Sequence, residues 1–446
     1  MKDHSSKGIQ QDPATPSPAS SAFAAVAGLF FFIVIIKFGD PVVLDHTLPP
    51  PANPSEFFYD SWPSRWGTLL LLPLLAMAIS AIPWQRLKLR WYLLLPAIWL
   101  GWQFVSATQT VSQSLTAETL THFTICIFLF YLGYFALDGN PNPWLIWTGI
   151  GLALCWTLRA GMEQHFGGLE ETRKMLYSTP GATGLSPMAL KSPEFQKRMA
   201  SDRIYSTFVY ANAFAGGLVL LLPVTLVFLW RLSPKVRRPI RIAFVAILGG
   251  CGLACLYWSG SKAGWLVALT AGLIALWHSA LPRKWKLRLI GAILVVGLLG
   301  FAVKYAAFFQ KQRNSVGARF IYWRGALQII AQHPIVGTGP GTFSIPFAQI
   351  KPPDAEMARL CHNDYLEQGS DSGVFGLISY ATMILTFITL LYRYSTRKHP
   401  VDWLPFAVWL GLFSLALHSL VEFHLYIPSL AWPMFFLMGW LLRLCD

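Results

Sequence analysis

Charge is what this chain of 446 residues has least of: only 13% of its residues are Asp, Glu, Lys or Arg. Soluble globular proteins carry about 25%. With 54% hydrophobic residues, 19 Trp and 31 Phe, that scarcity excludes a disordered chain and argues against a soluble enzyme. Cysteine is sparse as well. Five of the six cysteines (Cys126, Cys155, Cys251, Cys255 and Cys445) lie in or at the ends of apolar runs, and Cys361 stands alone in a loop. Neither a disulfide framework nor a CxxC metal pattern can be built from them, and small apolar packing residues are the expectation. A secretory signal is missing too. The first 20 residues are polar, rich in Pro and Ser, weakly basic, and lead to no small-residue cleavage site. They read as a disordered cytoplasmic tail before an uncleaved first helix. Finally, there is no clear internal repeat, and no ionisable group falls at the middle of an apolar run.

What the sequence has is length of apolar run. A membrane helix needs about 20 mostly apolar residues. Twelve segments qualify: 21–38, 67–84, 91–108, 121–137, 143–160, 207–230, 241–258, 262–279, 288–304, 374–392, 403–421 and 426–444. The expected fold is all-α: one polytopic membrane domain over 21–446, with about twelve transmembrane helices and both termini cytoplasmic.

The net charge of +14 first suggests nucleic acid, anionic lipid or an anionic substrate. Divided by side, it says something else. The inner connections and termini hold 18 basic and five acidic residues, an excess of +13, and the outer segments hold 17 and 16, an excess of +1. The inner residues form short dense clusters, such as Arg283, Lys284, Lys286 and Arg288. This is an orientation signal, and nucleic acid drops out as a partner. Three outer connections are long: 39–66, 161–206 and 305–373. Loops of more than about 15 residues usually carry function, so any chemistry is expected outside. Within 161–206, the stretch Thr179 to Pro193 is rich in Pro, Gly and Ser and is expected to order on substrate.

Loop 305–373 carries the most information. A helix is expected from Val316 to Gln332, ended by His333-Pro334, with Phe320, Trp323, Leu327 and Ile330 on one stripe. Arg319 and Arg324 flank that stripe, where an interfacial helix would hold them at the height of lipid phosphates; simple snorkelling anchors are the alternative. Gly337-Thr338-Gly339-Pro340-Gly341 is a tight turn or a backbone phosphate cradle, without the Lys-Ser/Thr ending of a P-loop. His362-Asn363-Asp364-Tyr365-Leu366-Glu367 packs five polar or titratable side chains into six residues. Histidine suits proton removal near neutral pH. A metal site would want a second ligand four residues on, and position 366 is Leu, so no metal is expected. The alternative for this run is a helix cap with solvated charges. Charges at a membrane boundary are costly and are functional candidates: Arg203 before the sixth run, Lys262 at the start of the eighth, and Glu422 after the eleventh. Arg159 and Lys304 read as ordinary anchors.

These residues resemble the O-antigen ligase and polymerase superfamily of bacterial envelope enzymes. Ser206 to Gly217 (STFVYANAFAGG) is similar to the family's GTF-x-NPN-x-xAG stretch, with Asn212 kept and Ala211 for Pro. SGSKAGW resembles SRGAW, with Lys262 for Arg. Arg319 to Phe343 resembles R-x-x-x-W…HP-x-x-G-x-G-x-G-x-F. His362 to Leu366 resembles HN-x-YL, and His418 to Pro428 resembles HSLVDF-x-L-x-x-P, with Glu422 for Asp. The resemblance implies a GT-C-like fold and transfer of a glycan from undecaprenyl diphosphate to an acceptor, lipid A core or another surface glycolipid, at the outer face of the inner membrane. It implies that His362 is the essential His and that Arg203 and Lys262 are the paired cations.

The chemistry agrees. A diphosphate leaves without a general acid or a cofactor, but its growing charge needs cations, which Arg203, Lys262, Arg319 and Arg324 would supply. His362 would deprotonate the acceptor hydroxyl, displacement would invert the anomeric centre, and Asn363, Tyr365 and Glu367 would orient His362 or the sugar. A polymerase or a protein O-glycosyltransferase would use the same donor. A lipid or solute transporter is the alternative without catalysis, and it would show inverted repeats and helices broken at the midplane.

Overall fold

The computed structural model describes residues 17–84, 89–137, 143–178, 196, 200–231, 236–309, 315–398 and 400–446. The stretch 179–195 and most of the amino-terminal tail lie outside the described residues, and so does the expectation of substrate-induced order in the first of these. No β-strand occurs among the described residues. In chain order the helices are α1 (Pro18–Lys37), α2 (Pro54–Tyr59), α3 (Ser64–Ala81), α4 (Leu94–Ala107), α5 (Gln113–Phe135) and α6 (Trp144–Glu163). Then come α7 (Leu169–Ser178), α8 (Ala211–Arg231), α9 (Arg238–Trp258), α10 (Lys262–His278) and α11 (Arg283–Phe309). The last five are α12 (Ser315–Gln332), α13 (Ser344–Ile350), α14 (Asp364–Ser395), α15 (Trp403–His418) and α16 (Pro428–Cys445).

Each of the twelve apolar segments contains one of these helices. Among the described residues, nine are long and apolar enough to cross a membrane, and α10 and α15 are shorter apolar helices. The chain is an all-α polytopic membrane protein. The local reasons are ordinary ones. Ser17 caps α1 by accepting from the Ser20 amide, with Pro18 in the first turn. Ser261 caps α10 in the same way through Gly264. Pro73, Pro223 and Pro433 sit inside helices, where neighbouring helices in a bundle compensate for the missing donor.

The centre of the bundle is α16, which is almost wholly buried and packs against α5, α1 and α8. Two glycines bring α16 and α5 to backbone contact. A Cβ on Gly133 would lie 2.2 Å from the Phe436 carbonyl oxygen, and one on Gly439 would lie 2.0 Å from that of Phe130. Such small-residue seams are how membrane helices associate closely. At the other extreme, α11 packs mainly on α10, and no residue of its Arg283–Val303 stretch is buried.

Three helices depart from the sequence expectation. Helix α5 begins eight residues before its apolar run and α14 ten before; the polar start of α14 is buried in protein, whereas in α5 Thr116 and Thr119 are buried and Gln113 and Ser114 are exposed. Helix α14 is also interrupted: Ser372 and Gly373 leave helical geometry, Gly373 at φ 70°, and the Val374 amide donates to the Pro334 carbonyl instead. Helix α12 also packs on protein, through a second face made of Tyr322, Ala326 and Ile329, while Phe320 and Leu327 of the stripe expected at a lipid interface are exposed. The cause is Gly325, whose bare face admits the Phe347 ring.

The connections sort to two ends. At one end Arg90, Tyr92 and Tyr134 hold the Asp446 carboxylate, and Arg231 pairs with Asp402. At the other end lie, among the described residues, the connections 38–63, 108–112, 164–178, 200–210, 259–261, 333–363 and 419–427. The site is built there.

Candidate functional site

The site begins with the turn after α15. Residues 419–427 turn back through a short 3-10 stretch, His424–Tyr426, before Pro428 starts α16, and the turn is pinned by the first residue of α14. The Asp364 amide donates to the carbonyls of Ser419 (2.9 Å) and Glu422 (3.1 Å), and its carboxylate accepts from the Leu425 amide at 3.0 Å. This clamp sets His362, two residues ahead of α14, over the side chain of Glu422.

His362 is held in an uncommon conformation. Its φ is 55°, left-handed for a residue with a side chain, which costs of the order of 1–3 kcal/mol and persists only where the surroundings over-determine it. They do so here. Asn363 caps α14, its side chain accepting from the Tyr365 and Leu366 amides at 3.0 Å each. The Glu367 carboxylate accepts from the Cys361 amide, and Trp323 Nε1 donates to the His362 carbonyl at 3.3 Å. The imidazole is about a quarter exposed, stacked at 5.8 Å on Tyr322 and edge-on at 4.7 Å to Phe423.

Glu422 is the hub. Its side chain is 3% exposed and receives three partners: Nδ1 of His362 at 3.1 Å, Nδ2 of Asn212 at 2.5 Å, and the Arg319 guanidinium. Asn212 passes the contact on, its Oδ1 accepting from Arg203 Nη2 at 2.5 Å. Burial alone would raise the Glu422 carboxyl. The Arg319 guanidinium and the His362 hydrogen bond together outweigh that burial, and the group is held well below the usual carboxylate range. An ionised carboxylate only accepts. The His362 Nδ1 must therefore carry a proton, and in the neutral ring Nε2 keeps its lone pair.

Arg203 enters from the end of the long outer connection 161–206, as the sequence leads one to expect. Gln164 holds it: Oε1 accepts from the Tyr205 and Ser206 amides at 3.0 and 2.7 Å, and Nε2 donates to the Ser206 carbonyl at 3.0 Å. Arg203 Nε donates to the Ser259 carbonyl at 2.7 Å, and its side chain covers Gly260. Lys262, half-buried, opens α10 directly after that turn. One continuous line thus runs Lys262 turn, Arg203, Asn212, Glu422, Arg319 and His362. Beside it lies a cavity of about 400 Å³, lined by His362, Tyr322, Tyr210, Phe423, Glu356 and Arg359 among others.

The remaining expected site residues lie elsewhere. Arg324 is exposed on the face of α12 opposite Tyr322, because the Gly325 contact turns that face outward. Asn363 is spent on its cap. Tyr365 donates to the Ala416 carbonyl at 3.2 Å, and Glu367 is fully buried behind the 361–362 turn. These three support His362 from behind and do not line the cavity. The glycine-rich loop is a turn. Gly337, Gly339 and Gly341 have φ of 66°, 106° and 78°, and a Cβ on any of them would meet an atom at 2.2–2.3 Å. Its amides face the protein's own anion: the Asp371 carboxylate accepts from Gly341 N at 2.6 Å and from the Thr342 and Phe343 amides. No phosphate cradle is left. The sequence marks Glu422 as a charge at a span end, but not as the shared partner of three side chains. Gln164 and Tyr322 carry no signal in it.

Two comparisons with known proteins bear on this arrangement. An uncharacterized protein of Haemophilus influenzae is 29% identical over 32% of this chain. The matched part spans 41% of that relative's length, so it carries no reading of a whole protein. Residues 247–381 match the family model described as O-antigen ligase. The matched segment contains Lys262, Arg319, His362 and the Asp371 loop, and over these residues the chain is similar to that family of membrane proteins.

Proposed function

We propose that this chain transfers a glycan from an undecaprenyl-diphosphate-linked donor to an acceptor hydroxyl at the outer face of a bacterial inner membrane. The site residues in loop 305–373 and those outside it act together, and the termini lie in the cytoplasm. The observation that carries the reading is the shared carboxylate: Glu422 binds His362 and Arg319 directly and Arg203 through Asn212. A base and two cations are thereby fixed in one frame.

The chemistry follows. His362 Nε2 takes the proton of the acceptor hydroxyl, and Glu422 stabilises the imidazolium that forms. The acceptor oxygen bonds to the anomeric carbon from the face opposite the diphosphate, the bond from that carbon to the diphosphate oxygen breaks, and the configuration inverts. The leaving diphosphate keeps the electron pair and needs no proton. Arg203 and Lys262 lie on the side of the frame away from the His362 cavity and take up its charge, with Arg319 between. Preorganised cations of this kind are worth about 10²–10³ in rate each, and the base about 10²–10⁴. The cavity beside His362, walled by Tyr210, Tyr322 and Phe423, offers the acceptor sugar aromatic faces.

One feature bears on the transporter alternative. Helix α14 is broken, as transporter helices often are. The break at Ser372–Gly373 lies eight residues, or about 12 Å, below the site end of a 32-residue helix, not midway. It serves to seat Pro334 and the Asp371 loop. The test is reconstitution in liposomes with a synthetic glycosyl diphospholipid and a glycolipid acceptor. Formation of an inverted glycosidic bond that requires His362 is the expected result. Movement of an intact donor across the bilayer would overturn the reading. In cells, loss of the chain should accumulate long lipid-linked glycans if it is a ligase and single repeats if it is a polymerase.

A further inference from the structure

At the end of the molecule opposite the site, cations that the sequence offers as an orientation signal stand over a hollow. A cavity of about 580 Å³ lies between α11 and α14, with Ile290 on one wall and Thr389 and Tyr392 on the other. Its floor is made by Trp277 and His278 of α10 and Trp409 of α15. Helices α10 and α15 are short, and α11 packs mainly on α10, so its face toward α14 is left uncovered. The polar groups of the floor are spent on protein. His278 Nδ1 donates to the Ile274 carbonyl at 2.9 Å, which leaves Nε2 of the neutral ring to accept from the Tyr392 hydroxyl at 3.3 Å. Trp409 Nε1 donates to the Ile388 carbonyl at 3.0 Å. The lining that remains is mainly apolar.

The rim is different. Trp277 and Trp285 are exposed there, and tryptophans so placed mark the level where hydrocarbon meets water. Lys286 Nζ donates to the Trp277 carbonyl at 2.8 Å, and the Arg288 guanidinium lies 5.3 Å from the Trp285 ring. Lys286 stands one turn before Ile290 on α11, and Arg393 one turn after Thr389 on α14, so each wall ends in a cation. Residues 279–288 hold four cations and no acid, and 389–398 hold three and no acid. The next acid along, Asp402, is taken by Arg231. Orientation in the membrane accounts for the number of these charges, but not for an apolar hollow directly beneath them.

An apolar cavity under unpaired cations at the membrane boundary matches a lipid with an anionic head. We infer that the cavity between α11 and α14 holds an acyl chain of an anionic glycerophospholipid from the leaflet opposite the site, with the lipid phosphate between Lys286 and Arg393. The chain fills the space that α11 leaves open, and the phosphate ties the walls together. Such a lipid is a structural partner and takes no part in transfer. Lys262 and His278 are the two ends of α10, about 25 Å apart, so a lipid at His278 meets neither the Arg203 frame nor His362.

The experiment measures lipid retention on the full chain by native mass spectrometry, with phosphatidylglycerol and the zwitterionic phosphatidylethanolamine as probes. Each Lys or Arg beside an anionic head is worth about fivefold, so the Lys286→Ala, Arg393→Ala double variant should retain phosphatidylglycerol about twentyfold less well. Its weaker hold on phosphatidylethanolamine should not change. Thr389→Trp fills the cavity without altering charge, and keeping two methylenes out costs about tenfold. An Arg237→Ala, Arg238→Ala variant removes as much charge from another connection at the same end and should change nothing. Phosphatidylglycerol should also raise the Tm of the wild-type chain more than that of the Lys286→Ala, Arg393→Ala variant, because it ties α11 to α14. Equal retention of the two lipids by the wild-type chain would overturn the inference. So would an equal loss in the Arg237→Ala, Arg238→Ala variant, which would mean surface attraction alone. A dimer that Thr389→Trp dissolves would make the cavity an interface between copies and overturn it too. The charge variant and the filling variant touch different groups, so failure of one to fold leaves the other decisive.

Discussion

Two buried carboxylates at the same end of the molecule show what separates a site from a joint. Glu422 and Asp371 are both out of water and both surrounded by donors. Asp371 receives backbone amides of the 341–343 turn and the Tyr426 hydroxyl at 2.7 Å. Those donors cannot leave without unfolding the turn, and the arrangement is closed. Glu422 receives side chains, and two of them, Arg319 and His362, remain 15% and 25% exposed. Their outer faces are available while their inner faces are fixed. Neutralising a buried charge with backbone makes structure. Neutralising it with side chains that also reach a cavity makes a preorganised set of a base and cations.

Substitution at each carboxylate sharpens this contrast. The largest effect is expected at the base: His362→Ala should lower transfer by about 10²–10⁴, measured on protein whose monodispersity in detergent is unchanged. Glu422→Gln comes next. It keeps an acceptor for Asn212 but loses the charge that fixes the His362 tautomer and draws Arg319 inward, and a fall of about 10²–10³ is expected. Asp371→Ala should behave in the opposite way. Leaving buried amides unpaired costs about 1–3 kcal/mol each, so thermal stability should drop clearly while turnover per folded molecule stays near wild type. If Asp371→Ala retained stability and lost turnover, the two carboxylates would not differ as argued.

The sequence showed the fold well and the site unevenly, for physical reasons. Apolar run length decides where a membrane helix sits, so all twelve segments contain helices. Run length says nothing about helix starts that are polar, which is why the true beginnings of α5 and α14 lie outside the expected ranges. His362 stood out because a dense polar run before an apolar one has few uses. Glu422 stood out only as a charge. Its three partners come from α8, α12 and the 361–363 turn, and pairing across such distances leaves no local pattern. Arg324 lies away from the Glu422 cluster because residue spacing on a helix gives a face but not which face turns toward a neighbour. A single bare glycine, Gly325, settled that by admitting Phe347.

The smallest effect should come from Lys262→Arg, and it bears on how the two sides of the frame divide the work. Arg203 is tied by Ser259 and Asn212 into a fixed direction, so its role is geometric as well as electrostatic. Lys262, at the first residue of α10 and on a four-carbon stem, acts as a point charge that a moving diphosphate can meet from several directions. Arg at 262 keeps that charge, and most of the transfer rate should survive, whereas Lys262→Ala should lose about 10²-fold as any single phosphate donor would. Arg203→Lys, by contrast, removes the fork that spans two acceptors and should approach the loss seen for Arg203→Ala. A Lys262→Arg variant as inactive as Lys262→Ala would mean that the ammonium itself is positioned like Arg203, and that the flank of α10 belongs to the rigid frame around Glu422.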